Sequence, residues 1–131
     1  MNVNTESWMQ ASILCRGYGA TLVVIDSAEK QAQVESYLVS KLGGTTTDTV
    51  WIGITNTFGE YVAGNGGWIN YGQGPQTYTN WETGYPLTTS KYNCGYMLNG
   101  SPNTKWRNAQ CLDSKKAVCE YPSEQTTPTK R

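Results

Sequence analysis

Asn80-Trp81-Glu82-Thr83-Gly84-Tyr85-Pro86-Leu87 leads into Cys94, then Trp106-Arg107-Asn108, then Cys111. From Asn80 to Cys111 the chain carries two of its four cysteines and two of its five tryptophans. Between Thr83 and Thr104 the only formally charged side chain is Lys91. The apolar residues here follow neither a helical nor a strand period, so regular structure does not account for the length of the segment. Crosslinks and buried indoles have to hold it, and what it presents to solvent is where function is expected.

Shorter, regular segments lie within and around this stretch. Within it Cys94 to Leu98 and Lys105 to Asn108, and beyond it Ala117 to Tyr121, each suit a short strand of an antiparallel sheet. Upstream, Ser7-Trp8-Met9-Gln10 fits a capping box, and Trp8, Ala11, Leu14 and Cys15 then share one face of a helix that ends near Gly17 or Gly19. Thr21-Leu22-Val23-Val24-Ile25 reads as a buried strand. Asp26 or Ser27 can cap a second helix that buries Val34, Tyr37, Leu38 and Leu42 and stops at Gly43-Gly44. Val50-Trp51-Ile52-Gly53-Ile54 is another apolar strand, in which Gly53 signals a close backbone approach. Ten of the fourteen glycines fall between Gly53 and Gly100, which marks loops and tight turns.

The totals narrow the function. At 131 residues the chain is one domain in size. Ten basic and ten acidic side chains balance, so the electrostatic term behind nucleic-acid or anionic-membrane binding is missing. No apolar run approaches the roughly 20 residues of a membrane span, and no signal peptide is present, so the chain reads as a mature form. Histidine is absent, which removes the commonest general base and makes a zinc cluster improbable. The acids are scattered and no constellation for catalysis is visible, so the chain is not read as an enzyme. The cysteines are read as a disulfide framework of an oxidising compartment. Pro122 to Arg131 has nothing apolar to anchor it and reads as a disordered tail or linker, leaving residues 1–121 as the domain.

With these elements placed, the chain resembles a C-type lectin-like domain from Ser7 to Tyr121. The residues that carry the likeness are Trp8 with Ala11 and Cys15, Leu22, the helix from Ser27, Trp51-Ile52-Gly53, Trp68, Asn80-Trp81, Gly84, Pro86, Cys94, Trp106, Cys111 and Val118-Cys119-Glu120-Tyr121. The resemblance implies an α+β fold with two helices on small antiparallel sheets and a long loop region. It also implies the bridges Cys15–Cys119 and Cys94–Cys111, one of the three pairings four cysteines allow. The family's first strand is normally longer; here only Met1-Asn2-Val3 is left to supply it.

Relatives that bind sugar through calcium hold the metal around the proline, before the third cysteine, and after the last-strand tryptophan. The matching positions here are Tyr85 and Leu87 around Pro86, Tyr92, and Arg107 with Asn108. Only Asn108 keeps a competent oxygen, and Arg107 brings a cation. Calcium wants about six to eight oxygens, several of them carboxylates, whereas between Thr55 and Thr104 the only acids are Glu60 and Glu82. The usual calcium-bridged sugar site is therefore expected to be absent. Ser27, Glu29, Gln33 and Glu120 match a structural calcium site of some relatives; the favoured reading is instead a helix cap, two exposed helical side chains and a solvated acid.

Tyr85, Leu87, Tyr92, Arg107 and Asn108 are thus the candidate ligand-binding residues of a secreted or extracellular recognition module that needs no cofactor. Replacing a metal cage with Leu87 and aromatic groups gives a drier surface, which suits a protein ligand. Calcium-independent glycan binding, by stacking on Tyr or Trp with Arg107 as donor, is the alternative, and a structural matrix role a third. Tyr85-Pro86 invites a cis peptide, and Asn99-Gly100-Ser101 is a glycosylation sequon compatible with secretion.

Overall fold

A computed structural model of the chain describes residues 2–42, 48–56, 69–70, 74–75, 78–87, 91–99 and 104–121. Gly43, Gly44, Tyr61, Trp68, Tyr71, Gly100, Ser101 and the stretch from 122 to 131 lie outside them.

Strand β1 (Asn2–Glu6) runs antiparallel to β8 (Lys115–Glu120), placing Val3 opposite Ala117. The first strand therefore extends beyond the three residues foreseen for it, as far as Glu6. On its other edge β8 lies parallel to β3 (Asp48–Thr55), with Trp51 level with Ala117. Beyond β3 come β6 (Cys94–Asn99) and β7 (Trp106–Ala109), both antiparallel, so that Trp51, Tyr96 and Arg107 form one row across the sheet. Two short strands, β4 (Ile69–Asn70) and β5 (Gly74–Pro75), extend the end of β3, and β2 (Thr21–Leu22) pairs with the end of β8.

Helix α1 (Trp8–Gly17) starts where the Ser7 hydroxyl accepts the N–H of Gln10, the first half of the foreseen capping box. It ends at Gly19, whose positive φ of 79° turns the chain back so that Gly19 and Ala20 donate to the carbonyls of Arg16 and Cys15. Ser27 caps α2 (Ala28–Leu42) by accepting the N–H of Lys30 at 3.0 Å.

The two helices sit on opposite sides of the sheet because alternate residues of β3 point in opposite directions. Val50, Ile52 and Ile54 pack with Met97, Trp106 and Val118 against Val34 and Leu38 of α2. Trp51 packs with Cys94 and Ala117 against Trp8, Ala11 and Cys15 of α1. Leu14, foreseen on the buried face of α1, is only half-buried, and Ser12 is buried in addition.

Val23, Val24 and Ile25 are buried as foreseen, but the strand ladder stops at Leu22. Val24 donates to a carboxylate oxygen of Glu120, and Val23 still donates its N–H to the Val118 carbonyl of β8 but accepts the N–H of Gly53 at 2.7 Å. That last contact is the close approach read from the sequence. A Cβ at Gly53 would lie 3.0 Å from the carbonyl oxygens of both Leu22 and Val23.

Bridges join Cys15 to Cys119 and Cys94 to Cys111, the pairs the resemblance implies. The first ties α1 to the last strand, and the second ties β6 to the turn that follows β7.

Candidate functional site

The foundation of the long loop is Trp106, 1% exposed. Its backbone accepts the N–H of Glu82 and donates to the carbonyl of Asn80, so the segment from Asn80 to Glu82 is zipped along β7. The rings of Trp81 and Tyr78 meet the Trp106 indole edge-to-face, with centroids 5.7 and 5.9 Å away. The indole N–H donates at 2.9 Å to Gln31, a buried side chain of α2 whose amide in turn donates to Glu35 and the Thr104 carbonyl. This network anchors the loop base to the second helix.

Side chains of consecutive β7 residues alternate, so Arg107 faces outward between the inward Trp106 and Asn108. The zipper from Asn80 to Glu82 brings the Glu82 carboxylate against Arg107, which donates to it through Nε. This charge-assisted bond holds the Glu82 carboxyl below the usual carboxylate range and raises the guanidinium further above its own. Arg107 is also the cross-strand neighbour of Tyr96, and its guanidinium stands 5.5 Å from the ring centre of Tyr85. Burial pushes the Tyr96 hydroxyl upward, partly offset by Arg107.

After Glu82 the chain turns: Tyr85 donates to the Glu82 carbonyl at 2.8 Å, Gly84 adopts a φ of 90°, and the Tyr85-Pro86 peptide is cis. Leu87 is then seized by Asn108, whose Oδ1 accepts the Leu87 N–H and whose Nδ2 donates to the carbonyls of Leu87 and Tyr92.

The five candidate residues therefore gather around one rim but divide into two levels. Leu87, 39% exposed, and the half-buried Tyr85, Tyr92 and Arg107 reach the surface. Asn108 is 4% exposed and lies beneath them, its amide engaged with backbone on both polar atoms. It shapes the rim and has no face to offer a ligand in this arrangement. Sequence reasoning overlooked Glu82 and Tyr96 as partners of Arg107. For Glu82 the sequence carries no mark of this pairing, since Asp113 is the acid nearer in sequence to Arg107.

On the α2 side, the four positions matching a structural calcium site are differently occupied. Glu120 accepts the Val24 N–H through one oxygen and the Lys30 ammonium, at 2.7 Å, through the other. Ser27 serves as the helix cap, Glu29 is exposed, and Gln33 is exposed beside an open groove of about 170 Å³ that it lines with Glu120. Among the described residues no three His, Cys, Asp or Glu side chains are grouped so as to hold a metal ion.

A two-helix α+β domain with two bridges and a long loop pinned by a buried indole defines a lectin-like domain. The chain belongs to the C-type lectin domain family, whose model matches residues 4–121. It is 31% identical over 121 residues to mouse regenerating islet-derived protein 3-gamma, covering 89% of this chain and 66% of that protein. Human C-type mannose receptor 2 is 29% identical over 127 residues, 96% of this chain but 8% of the receptor. Among solved structures, human lithostathine superposes with a TM-score of 0.74 at 25% identity, over 93% of this chain and 81% of that one. The chain thus spans no more than about two thirds of the length of these two sequence relatives. No helix among the described residues is long and apolar enough to cross a membrane.

Proposed function

We propose that this domain is an extracellular recognition module that binds a protein ligand through the rim formed by Tyr85, Leu87, Tyr92 and Arg107, without calcium. One observation carries the reading: a guanidinium already paired with Glu82 stands beside the rim, and the oxygen of Asn108 is taken by the Leu87 N–H. The donor set does not fit a calcium ion, which needs several free carboxylate oxygens. On the α2 side the Lys30 ammonium supplies the positive charge to Glu120. What remains exposed at the rim is apolar or aromatic, with one partly neutralised cation, the composition of a protein-contact surface. Two disulfides suit an oxidising, extracellular location.

The test is a paired screen, on an array of extracellular protein domains and on a glycan array, each with and without chelator. A protein hit that survives chelator and is lost in Leu87→Asp supports the proposal. Glycan binding abolished by chelator defeats it. A chelator-resistant glycan hit lost in Tyr85→Ala would transfer the rim to calcium-independent sugar stacking, which the cation-backed Tyr85 ring favours as second reading.

A further inference from the structure

The row that crosses the sheet from Trp51 through Tyr96 to Arg107 continues onto β8 at Ala117, and Lys115, two residues before Ala117 on the same strand, shares that face, which α1 covers only in part. Tyr96 carries a cation at each end. Arg107 is its neighbour across β6 and β7, while the Lys115 ammonium lies over the ring, 4.1 Å from its centre and 5.4 Å from that of Trp51. The two cations differ in one respect. Arg107 is matched by Glu82, whereas the polar contact of Lys115 among the described residues is with the Thr49 hydroxyl, at 3.5 Å. Glu6 stands opposite Lys115 in the β1–β8 register and Asp113 two residues before it, yet among the described residues no carboxylate pairs with this ammonium.

An ammonium held half out of water on two aromatic rings, with no carboxylate paired to it among the described residues, is electrostatically unfinished. Burial pulls Lys115 below the ordinary lysine range, with Asp113 pulling weakly the other way. An incoming anion would reverse that.

We propose that the surface over Tyr96 and Lys115 is a second contact site, continuous with the rim through Arg107, that accepts a carboxylate side chain of an acidic peptide segment. The choice of ligand follows from charge and shape. Sulfated polysaccharides are held by runs of cations, and this chain has no net charge and a single unmatched cation here. A lone ammonium beside a half-buried tyrosine suits one Asp or Glu with neighbouring peptide packed on the ring. The inference shares with the proposed function only the assumption that the partner is a protein.

The test is an NMR titration of the isotopically labelled domain with hexaglutamate, with hexaglutamine and a heparin hexasaccharide as comparisons. Hexaglutamate should give saturable shifts at the Tyr96 ring and the Lys115 side chain, and hexaglutamine none. Lys115→Gln should weaken binding about fivefold, the scale of one solvent-screened charge pair, and Lys115→Arg should restore it. Melting curves of both variants establish that they remain folded. Absence of saturable shifts, equal binding by Lys115→Gln, or heparin displacing hexaglutamate from Tyr96 at equal concentration overturns the proposal. Because this titration leaves Leu87 untouched and the rim screen leaves Lys115 untouched, either proposal can fail alone.

Discussion

Asn108 grips Leu87 by both of its backbone polar groups, accepting its N–H at 2.8 Å and donating to its carbonyl at 2.9 Å. A side-chain amide thereby imitates a strand neighbour for a residue that has none. A third bond, to the Tyr92 carbonyl, joins both sides of the long loop through one residue. Asn108→Ala leaves up to three buried backbone groups unsatisfied, at about 1–3 kcal/mol each before relaxation or water. The expected net loss is about 2–4 kcal/mol, read as a lower urea midpoint with unchanged slope. Asn108→Asp should not rescue it, since a carboxylate keeps the acceptor and loses both donated bonds. A midpoint like that of the parent protein in either variant would remove Asn108 from this role.

The pair beneath Tyr85 predicts a pH dependence. Arg107 depresses the Glu82 carboxyl below its ordinary value of 4.5, so the folded state holds this proton less tightly than the unfolded chain does. The pair's contribution is in place above that ordinary value and is lost as pH falls through the lower folded one. The carbon-13 resonance of the Glu82 carboxyl should therefore titrate below the ordinary glutamate value of 4.5, and Arg107→Gln should move its midpoint upward. Because the pair is solvent-facing, little global stability rides on it. A Glu82 midpoint unmoved by Arg107→Gln would break the link.

How the long loop is fastened to α2 offers a third test. Gln31 accepts the Trp106 indole N–H and donates to Glu35 and the Thr104 carbonyl, while the Thr104 hydroxyl also donates to Glu35. Gln31→Leu keeps the volume and abandons the indole N–H and the carbonyl, with an expected cost of about 2–3 kcal/mol. Gln31→Glu keeps the acceptor for the indole but sets a second carboxylate against Glu35. It should recover stability as the pH is lowered toward the carboxylate range. Thermal melts at two pH values distinguish the variants, and equal melting of Gln31→Leu and the parent would show the network to be dispensable.

The legible and illegible parts of this chain separate by physical cause. Trp51, Trp106, Val34, Leu38 and the two helix caps were legible because burial periodicity and local capping chemistry are written in neighbouring residues. Gly53 announced its close approach because only a missing Cβ allows it. That Tyr85, Leu87 and Arg107 stand where some relatives hold calcium is an expectation from the resemblance alone. The partners of those residues were not legible. Glu82 and Arg107 are 25 positions apart, and Gln31 and Trp106 are 75 apart. A polar side chain in a helix carries no local mark of an indole waiting for it. Asn108 misled for the same reason: its oxygen looks free in sequence, and only the return of the loop past Pro86 shows what it is bound to.

The same long-range logic governs the bridges. Cys94 and Cys111 enclose a sequence separation of 17, whereas Cys15 and Cys119 enclose 104. On chain entropy alone, removal should cost about 3 kcal/mol for the first and nearly 5 for the second. Their local effects should run in the opposite order. The short bridge joins β6 to the turn after β7, beside the strand that presents Arg107 and Asn108, so Cys94→Ala with Cys111→Ala should disturb the rim while most of the core survives. The long bridge joins α1 to the last strand on the far side of the sheet from Trp106, so Cys15→Ala with Cys119→Ala should lower the melting temperature more and perturb the Leu87 and Tyr92 amides less. Hydrogen exchange at those two amides, measured beside the melts, checks both halves. Faster exchange there in the long-bridge variant than in the short-bridge variant, compared at equal distance below each melting temperature, would contradict the assignment of rim support to the Cys94–Cys111 bridge.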